Sequence, residues 1–166
     1  MKKIVTILFT CSLAFAATAP VSALRGTVRK VDMVARTIVI KTADGTEHTF
    51  HVVRRTGVHG AQASWRGLKE GSEVVAHYTA RGTRETAVEI DNVGKEGLHA
   101  MEGAVVKVDQ GAKTVVVKSA DGAERTFRTT DNAVVSLGKG SEKAAKVTVY
   151  YTEDGGKAVV HFFQRL

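Results

Sequence analysis

The chain has 166 residues, of which 43% are hydrophobic and 25% are charged. This balance excludes a disordered polymer and suits one or two small folded domains. The formal net charge of +7 favours anionic partners in general, and the single cysteine excludes a disulfide framework.

The N-terminal residues have the layout of a secretory signal peptide. Two lysines precede the apolar run Ile4–Ala17, and Val21-Ser22-Ala23 offers a small-x-small cleavage pattern. We expect residues 1–23 to be removed, with cleavage after Ala19 as the alternative, and the protein to be periplasmic or extracellular. A membrane anchor is the competing interpretation, but the apolar run is shorter than the roughly 20 residues of a spanning helix. We therefore expect no transmembrane segment after cleavage.

The rest of the chain is a tandem duplication. Gly26–Phe50 aligns without a gap with Gly103–Phe127, at an offset of 77 residues, and 15 of these 25 positions are identical. A looser match continues from Val74–Thr79 to Val147–Thr152. A period of this length suits a small domain with its own core rather than a solenoid unit. The expected domains are a first barrel repeat at 24–91, a glycine-containing linker at 92–100 and a second barrel repeat at 101–166.

Each repeat contains a predicted hairpin. Ala43-Asp44-Gly45 and Ala120-Asp121-Gly122 stand between β-branched runs, and Asp-Gly is a strong hairpin signal because both central turn residues then adopt positive φ. Strand alternation predicts which side chains of the two hairpins are buried. They are Ile38, Ile40, Phe50 and Val52 in the first repeat, and Val115, Val117, Phe127 and Thr129 in the second.

Another strand is expected before each hairpin and two more after it. In the first repeat these strands fall near 28–31, 74–79 and 87–91, and a short helical or irregular insert is expected within 56–71. Five antiparallel strands with an insert after the third describe the OB-like barrel, and an SH3-like barrel is the alternative. The predicted fold is therefore all-β, with two tandem five-stranded OB-like barrels.

The motifs of the repeat resemble a known type of sequence. Gly26-x-Val28, Val31-Asp32, "TADGTEHTF" and "LKEGSEVVAHYT" resemble the tandem small β-barrel repeats of bacterial secreted and periplasmic proteins of unknown function. More distantly, the layout is similar to the periplasmic copper-chaperone barrels, which hold Cu(I) with a histidine, paired methionines and a tryptophan. The matching strand here, Thr46–His51, contains no methionine, so those metal ligands do not carry over.

All six histidines lie after the predicted signal peptide, but their spacing does not define a metal site. His48 and His51 are three residues apart, so on a strand they point to opposite faces. The second repeat has arginines at both positions. The remaining histidines are placed on outward-facing strand positions (His77 and His161) or in loops (His59 and His99). We expect solvated surface histidines, no bound metal and no cofactor.

Catalytic motifs are missing from the sequence. No cysteine nucleophile remains after the signal peptide, and there is no G-x-S-x-G, H-E-x-x-H or glycine-rich phosphate loop. Asp32 and Asp109 recur at matching positions after the first strand of each repeat, where a turn-capping aspartate is the ordinary explanation. The sequence therefore predicts a protein that is not an enzyme.

Single-stranded nucleic acid is a common ligand of OB-like barrels, which stack bases on aromatic side chains of strands two and three. The outward positions of those strands, such as Val39, Lys41 and His51, carry no aromatic ring in either repeat. Nucleic acid is therefore an improbable partner.

Arginines are frequent in the predicted loops of the first repeat. Guanidinium groups bind carboxylate, sulfate or phosphate groups in a bidentate manner. The candidate ligand-binding residues are Arg36, Arg54, Arg55, Arg81 and Arg84, which we expect to converge at one end of the first barrel.

The predicted function is a non-catalytic exported binding or structural module that recognises an anionic envelope polymer or an acidic protein, and the alternative is a periplasmic metal-handling protein that uses its histidines. The sequence does not predict an oligomeric state.

Overall fold

The computed structural model of the chain describes residues 20–60, 64–94, 97–130, 133 and 145–166. This part of the chain is built almost entirely of strands. The strands of the first repeat are β1 (Val21–Asp32), β2 (Thr37–Lys41), β3 (Glu47–His59), β4 (Glu73–Arg81) and β5 (Arg84–Asn92). Those of the second repeat are β6 (His99–Asp109), β7 (Thr114–Lys118), β8 (Glu124–Thr129), β9 (Lys146–Asp154) and β10 (Lys157–Arg165).

Each repeat closes into a separate five-stranded barrel. The strand order is β1-β2-β3-β5-β4 in the first barrel, where β4 pairs with β1 to complete the ring. The second barrel has the equivalent order, with β9 paired to β6. The third and fifth strands are parallel in both barrels, and the other neighbouring strands are antiparallel. This Greek-key order is that of the OB-fold, which the sequence analysis favoured over the SH3-like alternative.

The two barrels have separate cores. Phe50 lies at the centre of the first core and Phe127 at the centre of the second, and neither is exposed to solvent. The buried face predicted for each hairpin is confirmed at all eight positions. Alternation along a strand is sufficient to predict these residues because the barrel interior accepts every second side chain.

The two predicted hairpins are present, but their turns differ from the expected type. Gly45 and Gly122 have φ of 91° and 87°, whereas the described residues with positive φ other than glycine are Arg36 and Lys113. Asp44 therefore does not adopt positive φ. Gly45 N donates to Thr42 O at 3.0 Å and Thr42 N donates to Thr46 O at 2.9 Å, which defines a three-residue turn with a glycine bulge. The expectation of two positive-φ residues is wrong, because this wider turn needs only the glycine.

The barrels contact each other through an apolar cluster. Val75 of β4 packs with Tyr150 of β9, Phe162 of β10 and Leu98, and all four are buried. We call these four residues the inter-barrel apolar cluster. Tyr150 has outward parity on β9, and the first barrel covers it.

Parity fails on β10. Strict alternation would place Phe163 on the outside of the second barrel, but Phe163 belongs to the core and Phe162 faces the first barrel. A register shift between Val160 and Phe162 inserts one residue into the ladder. A β-bulge of this kind reverses the facing of every residue that follows it.

The connections between strands add little regular structure. A 3-10 helix at Trp65–Gly67 lies in the insert between β3 and β4, and most of the corresponding insert of the second repeat lies outside the described residues. The predicted linker, 92–100, takes in the last residue of β5 and the first two of β6. Strand β1 begins at Val21, upstream of the predicted cleavage position, and the signal peptide remains a prediction. No helix in the described residues is long and apolar enough to span a membrane.

Candidate metal centre between the two barrels

Histidine and carboxylate side chains converge where the two barrels meet. One ligand atom from each of His59, Glu89, Asp91 and His161 lies within 4.8 Å of the others. The first three residues belong to the first barrel and His161 belongs to the second. We call these four residues the junction cluster.

Strand register assembles the part of the junction cluster that belongs to the first barrel. Parallel pairing sets His59 of β3 opposite Asp91 of β5. Glu89 lies two residues before Asp91 and therefore on the same face of β5. On the other side of β5, antiparallel pairing sets His77 of β4 opposite Glu89. Three adjacent strands thus direct two imidazoles and two carboxylates to one outward patch.

The second barrel covers this patch and contributes His161. His161 lies at the β10 bulge, and its Nδ1 is 3.4 Å from Asp91 Oδ2 and 3.6 Å from Glu89 Oε1. Its other ring nitrogen, Nε2, lies 3.1 Å from Thr152 Oγ1. Histidines that ligate metals commonly donate their second ring N–H to such a partner, which fixes the tautomer and the ring orientation. Thr152 therefore holds Nδ1 toward the carboxylates.

The distances within the junction cluster suit a small cation. His59 Nδ1 lies 2.7 Å from Glu89 Oε1 and 2.8 Å from Asp91 Oδ1. In a tetrahedral site with bonds of about 2.1 Å, neighbouring ligand atoms are about 3.4 Å apart. The distances from His59 are shorter than this value and those from His161 are close to it. An ion could therefore enter after a small outward movement of the half-exposed His59 side chain.

Burial leaves polar atoms of the cluster and its neighbour without hydrogen bonds. The Asp91 side chain is 0% exposed, and its Oδ2 accepts no hydrogen bond. His77 is 2% exposed, its Nε2 lies 3.8 Å from Asp91 Oδ2, and neither of its ring nitrogens has a hydrogen-bond partner among the described residues. Buried polar groups are normally satisfied by protein, water or an ion, so Asp91 Oδ2 and the His77 ring have capacity to bind a water molecule or a cation.

Burial and contacts within the junction cluster also shift the pKa values of its side chains and of His77. Burial opposes the charged form of His161, but the contacts with Asp91 and Glu89 outweigh it and raise the pKa of His161 to about 9. The contact with His161 lowers the pKa of Glu89 against the opposing effect of burial. Burial lowers the pKa of His77, although Asp91 and Glu89 oppose this effect. At neutral pH, His161 of the metal-free cluster is therefore charged and His77 beside it is neutral.

These contacts correct two expectations about the histidines. His77 and His161 have the predicted outward parity, but His77 is buried and the His161 side chain is only 11% exposed, because the outward face of one barrel packs on the other. His59 is the last residue of β3 and His99 is the first residue of β6, so neither lies in a loop. The sequence analysis did not propose Glu89 and Asp91 as metal ligands. Their signal in the sequence is a pair of outward-facing acids on β5, one of which aligns with a histidine of the second repeat.

The structure brings together two of the five predicted arginines. Arg36 and Arg54 line a common cavity, whereas Arg55, Arg81 and Arg84 do not line it. Arg81 and Arg84 are paired across the β4–β5 turn, and β5 starts beside Phe50 in the first half of β3. The expected convergence of all five arginines is therefore not found. Their role in binding a ligand stays a prediction.

Comparisons with known proteins give weak structural similarities. No protein-family model matches the sequence, and no curated protein matches it. Apo-CusF from Escherichia coli has 18% identity and a TM-score of 0.39, and the match covers 49% of this chain and 98% of that one. The silver-bound form of CusF from E. coli also has 18% identity, with a TM-score of 0.38 and coverage of 47% and 98%. The Drosophila Unr fragment CSD456 has 12% identity and a TM-score of 0.36 over 87% of this chain and 61% of its own. The OB-like assignment of this chain rests on its strand order.

Proposed function

We propose that this protein is an exported, non-catalytic metal-binding module, and that its two barrels together hold one divalent transition-metal ion. The observation that carries the proposal is the junction cluster, in which ligands from both barrels surround a fully buried carboxylate. A metal-handling protein was the alternative that the sequence left open, whereas its main prediction was recognition of an anionic polymer or an acidic protein.

The donor set favours zinc as the first candidate. Two imidazole nitrogens and two carboxylate oxygens form a mixed nitrogen and oxygen site, which suits Zn²⁺ and, with other geometry, Cu²⁺ or Ni²⁺. Soft Cu(I) and Ag(I) prefer thiolate and thioether ligands, and the junction cluster contains neither cysteine nor methionine. The neutral His77 next to Asp91 could serve as a further ligand or orient that carboxylate.

Ion binding would also fix the relative position of the two barrels, because His161 comes from one and the remaining ligands from the other. An ion that binds the docked form alone would stabilise it by about 2.7 kcal/mol at a free concentration of 100 times the Kd. The ion would displace the proton on His161, so its binding would weaken as the pH falls.

Calorimetry and elemental analysis of the purified protein with Zn²⁺ test the proposal. We expect one ion per chain, and a loss of affinity of at least about tenfold when Asp91→Asn and His161→Gln are combined. The matched control is His48→Gln with His51→Gln, which removes two histidines outside the junction cluster. Absence of zinc binding by the parent protein, or an equal loss in the control, would contradict the proposal and leave an ion-paired contact between barrels.

A further inference from the structure

A second charged feature lies in the first barrel, away from the junction cluster. Between the β1–β2 turn, the second half of β3 and the 3-10 helix is a cavity of about 370 Å³. Three arginines line it, together with Trp65, Ser64 and parts of β3. We call Arg36, Arg54 and Arg66 the cavity arginines. None of the lining residues belongs to the junction cluster.

Backbone contacts position the cavity arginines. Arg36 has φ of 52°, and its carbonyl oxygen accepts a hydrogen bond of 2.8 Å from Val52 N, which ties the β1–β2 turn to β3. Arg66 belongs to the 3-10 helix, where its backbone N–H donates to Ser64 Oγ at 3.3 Å. Trp65 packs against the core of the first barrel and so anchors the helix beside the cavity. The side chains of Arg36 and Arg66 therefore extend from a backbone that is held in place.

The charge of this cavity is not balanced by its own lining. No carboxylate is found among the described residues that line the cavity. A second cavity of the first barrel contrasts with it, because there Arg25 forms a 2.9 Å ion pair with Glu73, and both residues line that cavity. The cavity arginines are exposed, so their side chains are accessible to a ligand. Three guanidinium groups around one concave surface attract anions.

The second repeat does not carry the same set of residues. At the 77-residue offset, Lys113 replaces Arg36 and Asp131 replaces Arg54 in the sequence. A general need for positive charge at this position of the fold would apply to both copies. The arginines are therefore a property of the first barrel alone.

We infer that the cavity lined by Arg36, Arg54 and Arg66 binds the tetrahedral oxyanions of a phosphate- or sulfate-bearing polymer. Guanidinium groups match such oxyanions with paired N–H donors, and the indole of Trp65 supplies an apolar wall for the rest of the ligand. The volume lies within the range of small-molecule sites, so it holds a few groups of a chain while the remainder extends into solvent. This site is independent of the metal proposal.

The test compares two variants with the same change in net charge. One combines Arg36→Gln, Arg54→Gln and Arg66→Gln. The other combines Arg55→Gln, Arg81→Gln and Arg84→Gln, three exposed arginines of the same barrel outside the cavity. The probes are inorganic tripolyphosphate and a short heparin oligosaccharide, titrated at low salt with EDTA present so that the junction cluster binds no metal.

We expect the first variant to lose at least about tenfold in affinity and the second less than about threefold, because paired hydrogen bonds need placed donors whereas diffuse attraction needs only charge. A preference for tripolyphosphate would identify a phosphate polymer, and a preference for heparin a sulfated one. Equal losses in the two variants, or no binding of either probe by the parent protein, would overturn the inference. A single Arg54→Gln variant, checked by circular dichroism, should show a partial loss without any change in fold.

Discussion

The two barrels share their interiors and differ on the faces by which they touch. Ile38, Ile40 and Phe50 in one copy correspond to Val115, Val117 and Phe127 in the other, and all six are fully buried. On the outward face the aligned residues differ in kind. His77 of β4 aligns with Tyr150 of β9, and Glu89 of β5 aligns with His161 of β10. One copy presents two carboxylates and two imidazoles, and the other presents His161 together with the aromatic side chains of Tyr150 and Phe162.

This difference explains why a duplicated chain can form a specific internal contact. Two identical faces would set carboxylate against carboxylate, and like charges in contact are destabilising. Divergence at a few outward positions makes the faces complementary, while the interiors keep the pattern that closes each barrel. The comparison can be tested at four levels, from the shared cores to the surface pairs.

The largest effect is expected from truncation of the equivalent core phenylalanines. Phe50→Ala and Phe127→Ala should each lower the free energy of unfolding by about 3–5 kcal/mol, because each leaves a cavity in a closed barrel. Since the barrels share the inter-barrel apolar cluster, we expect one unfolding transition whose midpoint both variants lower. Denaturant unfolding followed by tyrosine fluorescence measures this. A transition that keeps the wild-type midpoint in either variant would indicate barrels that unfold independently.

The contact between the complementary faces predicts that the free energy of unfolding depends on pH. The folded pKa of His161 is raised to about 9 from an unperturbed value of about 6.5. Its contribution to stability is therefore complete below about pH 6.5 and is lost as the pH rises toward 9. The largest possible contribution is about 3 kcal/mol.

Unfolding of the metal-free protein and of His161→Gln across pH 6 to about 10 checks this expectation. The difference in stability between the two proteins should shrink as the pH rises. A difference that stays constant over this range would show that the ion pairs of His161 do not stabilise the folded state. Zinc must be removed with a chelator, because metal binding would obscure the titration.

The hairpin turns should respond equally in the two copies. Gly45 and Gly122 have similar positive φ, and in each case the nearest atom to an added Cβ is a lysine Cε at 3.9 Å. Space is therefore available, and the cost of Gly45→Val or Gly122→Val is that of the backbone conformation, about 1–3 kcal/mol. Thermal melting measures it, with Ala43→Val in the same turn as a control that changes stability by less than about 0.5 kcal/mol. Unchanged melting in both glycine variants would refute the observed turn.

The smallest effect is expected at a surface pair that differs between the copies. His48 Nδ1 lies 3.1 Å from Glu85 in the first barrel, whereas at the aligned position Arg125 contacts Glu153 and donates to Tyr151 OH at 2.9 Å. Exchange of the two residues, His48→Arg or Arg125→His, should alter stability by less than about 1 kcal/mol because both pairs are partly exposed. If Arg125→His lowers stability more than His48→Arg does, the difference measures the stacking of the Arg125 guanidinium on Phe127 and Tyr151.

Much of the fold follows from local patterns in the sequence. The repeat and the alternation of Ile38 and Ile40 predict the barrels and their cores, because these features depend on neighbours within one hairpin. The bulge before Phe162 does not follow from any residue type, so strict alternation assigns Phe163 to the wrong face. Gly45 was correctly placed at positive φ, but the width of its turn depends on hydrogen bonds that the Asp-Gly pair alone does not determine.

The junction cluster could not be predicted in the same way. His77 and His161 were correctly given outward parity, yet parity says nothing about what covers an outward face. Their burial depends on docking of the two repeats, and Asp91 enters the cluster through parallel pairing of strands that are distant in sequence. The five arginines do not all converge for a related reason: Arg54 lies within β3 and Arg84 begins β5, and the register places Arg84 beside the first half of β3.

The short connection between the barrels has a kinetic and thermodynamic consequence. β5 ends at Asn92 and β6 begins at His99, and the chain folds back on itself there, since Leu98 N donates to Asn92 O at 2.7 Å. Leu98 itself is part of the inter-barrel apolar cluster. A tether of this length gives each barrel an effective concentration of the order of millimolar near the other. The barrels can therefore stay docked through an intrinsically weak contact, and a second chain would have to reach a comparable concentration to exchange partners with them.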